Sequence, residues 1–484
     1  MQSAWIGDAL AAALARDSKE GLARQLTRQL RQWIGEGRLA AETRLPASRD
    51  LARQLAIGRN TVIDAYEQLL AEGYLETRHG SGTYVCALFK RQTPAAPEPM
   101  AALGLSGRGG ELSALTRRDD DYNGAFVPCI PEIRDFPHRQ WQQLLARHQR
   151  QARLLDFNYQ AGGGLPALRQ ALADYLRMAR AVRCHPDQIL ITQGTQHSLT
   201  LCALLLADPG DAAWMEEPGY LGARVAMQMA GLRTVPAPID EQGLNPAQVA
   251  DPTPPRLIYA TPSYQYPLGV TMPLARRLAL IEYARQANAW IIEDDYDSEF
   301  RYNSQPLPAL QGLSEDARVI YLGTLSKVMY PGLRTGYIVV PEGLVDDFRA
   351  ANARLHPEGH YPLQSALAEF IGNGQFARHI RRMRDLYQER QHCLRAALVH
   401  TEASEWTWSS GHAGMHVLAT LPPRLDETRL SQQAAKEGIW LSTLGKHYQA
   451  PPDRQGLVIG YAGVAEADIV RGVRVMDRLA RAQH

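Results

Sequence analysis

A chain of 484 residues has room for two or three domains, one of them large enough to bury a substantial core. Its 52 basic and 51 acidic residues leave a formal net charge of +1, which excludes a globally basic coat for nucleic acid or membrane, so any DNA affinity has to be local. The five scattered cysteines, Cys86, Cys129, Cys184, Cys202 and Cys393, lack metal-ligand spacing; this excludes a disulfide framework or zinc site and predicts reduced thiols in a cytoplasmic protein.

The chain opens with Trp5, Asp8, Arg16 and Asp17 rather than a basic start and an apolar run, so no signal peptide is expected. Leu22, Leu26, Leu30 and Ile34 recur at one-turn spacing and predict a first helix that ends at residues 35–38. Ser48 is placed to cap a second helix carrying Leu51 and Leu55, and Ile57-Gly58 reads as a tight turn. A third helix is expected from about Asn60 to Gly73, with Val62, Ala65, Tyr66, Leu69 and Leu70 inward. Residues 74–77 and 83–85, joined by 78–82, read as a two-stranded wing. Between Arg44 and Arg59 four arginines face one acid, Asp50, a modest patch that serves equally as a solvated helix face.

Residues 89–120 are punctuated by Pro94, Pro97, Pro99, Gly104, Gly107, Gly109 and Gly110 and read as an irregular linker. Beyond it, apolar strands alternate with amphipathic helices, which predicts a mainly parallel sheet covered on both faces. Candidate strands are 188–192, 212–215, 256–260, 290–293, 319–323 and 336–340. The apolar stretch 199–207 is far too short to cross a bilayer.

In open α/β sheets ligands lie beyond the carboxyl ends of the strands, so the residues just after these strands matter most. Gly194, Thr195 and Gln196 open a helix, where free amides and the positive dipole end suit a phosphate; many such turns bind nothing. Asp294, Asp295 and Asp297 end a buried strand and require pairing, a metal or a ligand cation, and no histidine lies close in sequence to support a metal. Lys327 follows Thr324, and Arg334 comes seven residues later. Alone, Lys327 reads as a surface residue. Together the set supplies a Schiff-base lysine, an acid for a pyridine nitrogen and an arginine for a phosphate, the parts that pyridoxal 5'-phosphate requires.

Over nearly its whole length the chain resembles the MocR/GabR family of pyridoxal-phosphate-dependent transcriptional regulators. In that family a GntR-type winged helix-turn-helix is fused to a fold-type-I aminotransferase-like α/β domain. The segments carrying the resemblance are 45–49, 80–83, 217–220, 261–265, 293–300 and 323–327. It implies three parts: a DNA-binding head at 1–88, a linker at 89–120, and an effector-binding and dimerisation domain at 121–484. Residue by residue, it implies Lys327 as the Schiff-base lysine, Asp294 on the pyridinium nitrogen, Tyr296 on the ring hydroxyl and Tyr220 stacked on the ring. Gly194, Thr195, Gln196, Thr324 and Arg334 would hold the phosphate. Core packing for Tyr220 and a helix cap for Thr324 are the alternatives.

In the winged helix, Arg59, Asn60 and Thr61 are best placed for base edges, and Ser48 and Arg49 for phosphates. Gly80 and Gly82 let the wing approach the backbone, with Arg78 and His79 reaching the minor groove. Arg59 serves equally as a phosphate contact, and Asn60 as a cap. A homodimer would present two heads to double-stranded operator DNA with two half-sites.

The chain departs from the enzymes at Val458, which stands where aminotransferases carry a carboxylate-binding arginine. Lys446 is the alternative anchor or an exposed lysine, and Tyr264 and Gln265 complete the candidate effector site. The expected ligand is a small amine or amino acid, or pyridoxal phosphate itself. A working aminotransferase with an accessory DNA-binding domain is the competing reading.

Overall fold

The structure, a computed structural model, describes residues 4–18, 20–78, 80–87, 104–116, 124–158, 162–302, 307–315, 318–356, 359–399 and 401–483. The chain divides into two compact units, Met1–Leu105 and Ser106–His484.

In the first unit, helices α1 (Ala4–Ala13), α2 (Leu22–Gly35), α3 (Ser48–Leu55) and α4 (Arg59–Ala71) precede the hairpin of β1 (Leu75–Arg78) and β2 (Gly82–Val85). Leu26, Leu30, Leu51, Val62, Leu69 and Val85 are wholly buried in one core. The Tyr66 hydroxyl donates to the Pro46 carbonyl at 3.0 Å, tying α4 to the approach of α3. Two expected caps are displaced. Ala47 is already extended and its carbonyl takes the Asp50 and Leu51 amides, so Ser48 is the first helical residue of α3. Gly58 enters α4 in the same way, which leaves Asn60 inside the first turn. The turn between them is made by Ala56, in the left-handed region at φ +51°.

The second unit contains an eight-stranded sheet: β3 (Ile189–Thr192), β4 (Ala212–Glu217), β5 (Arg233–Asp240), β6 (Gly243–Leu244), β7 (Leu257–Ala260), β8 (Trp290–Asp295), β9 (Val319–Thr324) and β10 (Gly336–Val339). Their spatial order is β3-β10-β9-β8-β7-β4-β5-β6. Strands β9, β8, β7, β4 and β5 run parallel, whereas β10 is antiparallel to both neighbours. All six expected strands are present. Strand β5 escaped sequence reading because Pro236 and Pro238 interrupt it; two residues apart, their missing amides fall on the side away from β4, where the Pro238 carbonyl accepts the Asn245 amide, so the ladder to β4 survives.

Apolar residues cover both faces of this sheet, with Leu190, Ile292, Ile320 and Ile338 in one cluster and Trp214, Ile258, Ile291 and Val319 in another. A second sheet comprises β11 (Thr407–Trp408), β12 (His416–Thr420), β13 (Ser442–Thr443) and β14 (Gly456–Gly460), in the order β11-β12-β14-β13. Within the segment expected to be a linker, Gly107–Thr116 is helical and packs on the helix Leu221–Met229, where Arg108 donates to the Gln228 carbonyl at 3.4 Å.

The acids of β8 are accommodated one by one. Glu293 accepts the backbone amides of Leu310 and Gln311. Asp295 accepts from Arg180 at 2.7 Å and from the Tyr321 hydroxyl at 2.6 Å, and Arg180 and Asp295 are both buried. Burial raises the Asp295 carboxyl, but Arg180 and the hydrogen bonds more than offset it and hold the group below its ordinary value. Removing Arg180 leaves that charge uncompensated. Arg180→Ala is therefore expected to cost about 3–5 kcal/mol in denaturant unfolding of the large unit, whereas Arg285→Ala, which removes an exposed pair with Glu282, should leave the midpoint unchanged.

Candidate functional sites

Three strand ends lie in a row because of register. Gly336 pairs with Thr192 on one side and Thr324 on the other, so the turn after β3 and the turn after β9 become neighbours. Gly194, at φ +97°, enters the helix Thr195–Leu206, where the His197 and Ser198 amides turn to the Gly194 carbonyl and those of Thr195 and Gln196 have no intrahelical acceptor by geometry. A Cβ on Gly336 would lie 2.8 Å from the Gly194 Cα, so the close approach requires glycine. The Arg334 guanidinium donates to the Gln193 carbonyl at 3.2 Å and sits 3.4 Å from where a Gly194 Cβ would project. Thr324 is buried, and its hydroxyl accepts the Ser326 amide at 3.2 Å. The Ser326 hydroxyl is buried with no partner among the described residues. Amides, hydroxyls and a guanidinium thus converge as an anion site. The Gln196 side chain is turned away to the Gly222 carbonyl, which leaves its amide as the group available to an anion.

Asp294 lies on the strand beside this row. One carboxylate oxygen accepts from the Tyr259 hydroxyl at 2.9 Å, and the other is buried without a partner among the described residues. Burial pushes its pKa up to about 7, with Asp295 adding to the rise and Tyr259 and Lys327 opposing it. A buried carboxylate with one vacant oxygen is the counterpart of a cationic N–H. The Lys327 amine donates to the Cys129 carbonyl at 3.1 Å, and its charge also acts on Asp297. Asp297 is raised by burial, then by Asp295 and Glu299.

Tyr296 donates to the Tyr264 carbonyl at 3.0 Å, and Tyr220 enters the helix Leu221–Met229. Between them lies Tyr266, with ring centroids 6.2 Å from each. Sequence reading stopped one residue short of it. The Gln265 amide nitrogen donates to Glu216, the Pro218 carbonyl and the Tyr266 carbonyl, and its oxygen accepts from Leu268, so it braces the loop instead of facing a ligand. Tyr264 is buried, with its hydroxyl on the His416 carbonyl; its ring lines an open cavity of about 630 Å³ together with Arg301 and Ser409. Lys446 is exposed in the turn Leu444–His447, and Val458 is buried on β14 among Leu268, Leu418 and Leu444. Ser326, Tyr259, Cys129 and Tyr266 were missed; only Ser326, inside the Thr324–Lys327 run, carried a local sequence signal.

In the first unit Arg44, Arg49, Arg53, Arg59 and Asn60 are exposed, and Ser48 and Thr61 are half-buried. Arg49 and Arg59 both stand in first helical turns. Gly80 (φ +72°) and Gly82 (φ +117°) shape the wing tip, and the Arg44 guanidinium lies 3.2 Å from where a Gly82 Cβ would sit. Arg78 is held on its own strand by Glu76 at 2.6 Å, over the Tyr84 ring. His79 lies outside the described residues.

A fold-type-I α/β domain with this donor set, carried in one chain with a winged helix, is the class these features define. Residues 134–474 match the family of class I and II aminotransferases, and residues 22–85 match the GntR family of bacterial regulatory proteins. The chain is 42% identical to the probable rhizopine catabolism regulatory protein MocR of Rhizobium meliloti, over 95% of this chain and 94% of the relative. It is 31% identical to the pyridoxine biosynthesis transcriptional regulator PdxR of Corynebacterium glutamicum, over 93% of each. Among solved structures, LysN, the α-aminoadipate aminotransferase of Thermus thermophilus complexed with N-(5'-phosphopyridoxyl)-L-leucine, is 26% identical with a TM-score of 0.68, covering 78% of this chain and 95% of that one. The chain belongs to the MocR/GabR family.

The vacant Asp294 oxygen, the partnerless Ser326 hydroxyl and the Gly194–Arg334 cradle fit pyridoxal phosphate, the cofactor that this family assignment supports.

Without the cofactor, Asp294 binds a proton up to about pH 7 when folded and up to about pH 3.9 when unfolded. The folded state therefore holds the extra proton between those values, and this group's contribution to stability falls as pH rises through that window. Relative to Asp294→Asn, which has no such group, the melting temperature of cofactor-free protein should drop from about pH 5 to about pH 7.5; a parallel pair of curves would refute the vacancy argument.

Proposed function

We propose that this DNA-binding transcriptional regulator carries pyridoxal phosphate covalently on Lys327 and reads an amine, an amino acid or the cofactor itself there. The DNA-binding head at 1–88 is joined through 89–120 to the domain that senses. One observation carries the cofactor half: a buried carboxylate, Asp294, with a vacant oxygen, lying within the electrostatic reach of Lys327. The bound cofactor supplies an aldehyde that condenses with amines and a ring that takes up electron density. Tyr296 and Tyr220 orient the ring, Gly194, Thr195, Gln196, Ser326, Thr324 and Arg334 hold the phosphate, and Asp294 keeps the ring nitrogen protonated.

An amine that competes for the Lys327 position changes the charge and packing of the site. That difference in affinity between two states is what shifts the population of DNA-binding forms. The Leu154–Phe157 turn leaves Leu154, Leu155 and Phe157 exposed at 89, 69 and 65%, an apolar surface that supports a second copy as partner. Two heads then read two half-sites of an operator, with Arg59, Asn60 and Thr61 toward the bases and Ser48 and Arg49 toward phosphates. Val458, sealed among leucines, weighs against complete turnover of α-amino acids.

Borohydride reduction of cofactor-loaded protein followed by peptide mass spectrometry should find the adduct on Lys327, and none there in Lys327→Ala. A wild-type protein with no adduct would end the cofactor reading. In operator binding measured against salt, Arg49→Ala should flatten the log–log slope by about 2, one phosphate contact for each head. Loss of discrimination between operator and random DNA in Arg59→Ala alone would place that side chain on a base edge.

A further inference from the structure

Two imidazoles stand against the Tyr266 ring. His416 opens β12 and is fully buried. It pairs with Gly460, and two residues further along Leu418 pairs with Val458. Opposed residues share a face and alternate positions return to it, so His416 emerges on the same side of the small sheet as Val458. His447 closes the turn that follows β13. The Tyr266 ring lies edge-on to His416 at 5.2 Å and to His447 at 5.0 Å. One ring thus bridges Tyr220 and Tyr296 to both histidines.

The Nε2 of His416 and both ring nitrogens of His447 are buried and make no close hydrogen bond among the described residues, and the Nδ1 of His416 lies 3.9 Å from the Cys129 Sγ. Buried polar atoms of this kind are costly unless a ligand completes them. Burial pushes His416 down to about 3 and His447 down to about 4, against weaker pulls from the Pro267 and Gly219 backbones; Lys446 and Arg224 press His447 further the same way. Both rings are therefore neutral near pH 7; the N–H of each leans on a backbone, that of Pro267 or of Gly219, and the lone pair is left for a ligand. A carboxylate calls for charged or multiple donors and has nothing to give the lone pairs. A hydroxyl or an amide N–H donates to them.

We infer that His416, His447 and Tyr266 select an amine bearing uncharged hydroxyl or amide groups over its carboxylated counterpart. The inference rests on the cofactor reading above, because the two rings meet a ligand only if an amine reaches Lys327. It turns the absence of an arginine at Val458 from a defect into a specificity.

The test titrates cofactor-loaded protein with matched pairs, serinol against serine and glycinamide against glycine, following the cofactor absorbance band. Serinol and glycinamide should half-saturate at concentrations roughly tenfold or more below their partners. His416→Phe and His447→Phe, which keep a ring and lose the polar atoms, should abolish the preference while retaining the band and the melting temperature. His416→Gln, which keeps a donor and an acceptor, should preserve it. Should His416→Phe fail to fold, the wild-type preference and His447→Phe decide the matter. Equal or tighter response to the carboxylated amines, no response to the uncharged ones, or an unchanged preference in the phenylalanine variants overturns the inference. A wild-type protein with no cofactor band overturns the reading beneath it as well, so the two failures differ.

Discussion

The pairing of β10 between β3 and β9 is the constraint on which the large unit's site depends. Gly336 stands level with both Thr192 and Thr324, and no side chain larger than hydrogen fits against Gly194 at that level. A slip of one residue would turn every side chain of β10 to the other face and move Arg334 away from the turn it braces. The glycines are thus required by backbone proximity, and the anion site is a consequence of strand register rather than of any one residue's affinity.

Beside that row, the four acids of residues 293–297 show how burial sorts residues that look alike. Glu293 is satisfied by backbone amides and Asp295 by Arg180 and Tyr321. Asp294, on the opposite face of the strand by alternation, has one hydroxyl and a vacant oxygen. Only a group whose needs are incomplete within the protein is available to a ligand. The same logic separates Gln265, whose amide is saturated by its own loop, from His416 and His447, whose nitrogens are incompletely satisfied among the described residues.

The electrostatics of the ligand side differ from those of an enzyme that grips α-carboxylates. Val458 is packed among leucines, and the two imidazoles edge-on to the Tyr266 ring are held neutral by burial. Under the proposed function, a domain with this lining would hold a cofactor with charge and read a ligand with hydrogen bonds. A sensor needs differential affinity, not turnover, and a neutral lining provides it without the anchor that drives catalysis on amino acids.

The one-turn spacing from Leu22 to Ile34, the six apolar strands and the Thr324–Lys327 run were legible in the amino-acid sequence, because periodicity and strand-end chemistry are local properties. Local signals also brought Lys327, Asp294 and Arg334 together as one set. Strand β5 was hidden by its two prolines, which are harmless only because of which edge they face. The entries to α3 and α4 were misjudged by one or two residues, because Ala47 and Gly58 were already extended before the polar side chains that seemed to cap them. Tertiary structure alone decided the rest. Cys129, Tyr259, Tyr266, His416 and His447 come from separate segments of the chain, and which of their polar atoms remain without a partner depends on packing that no linear spacing encodes.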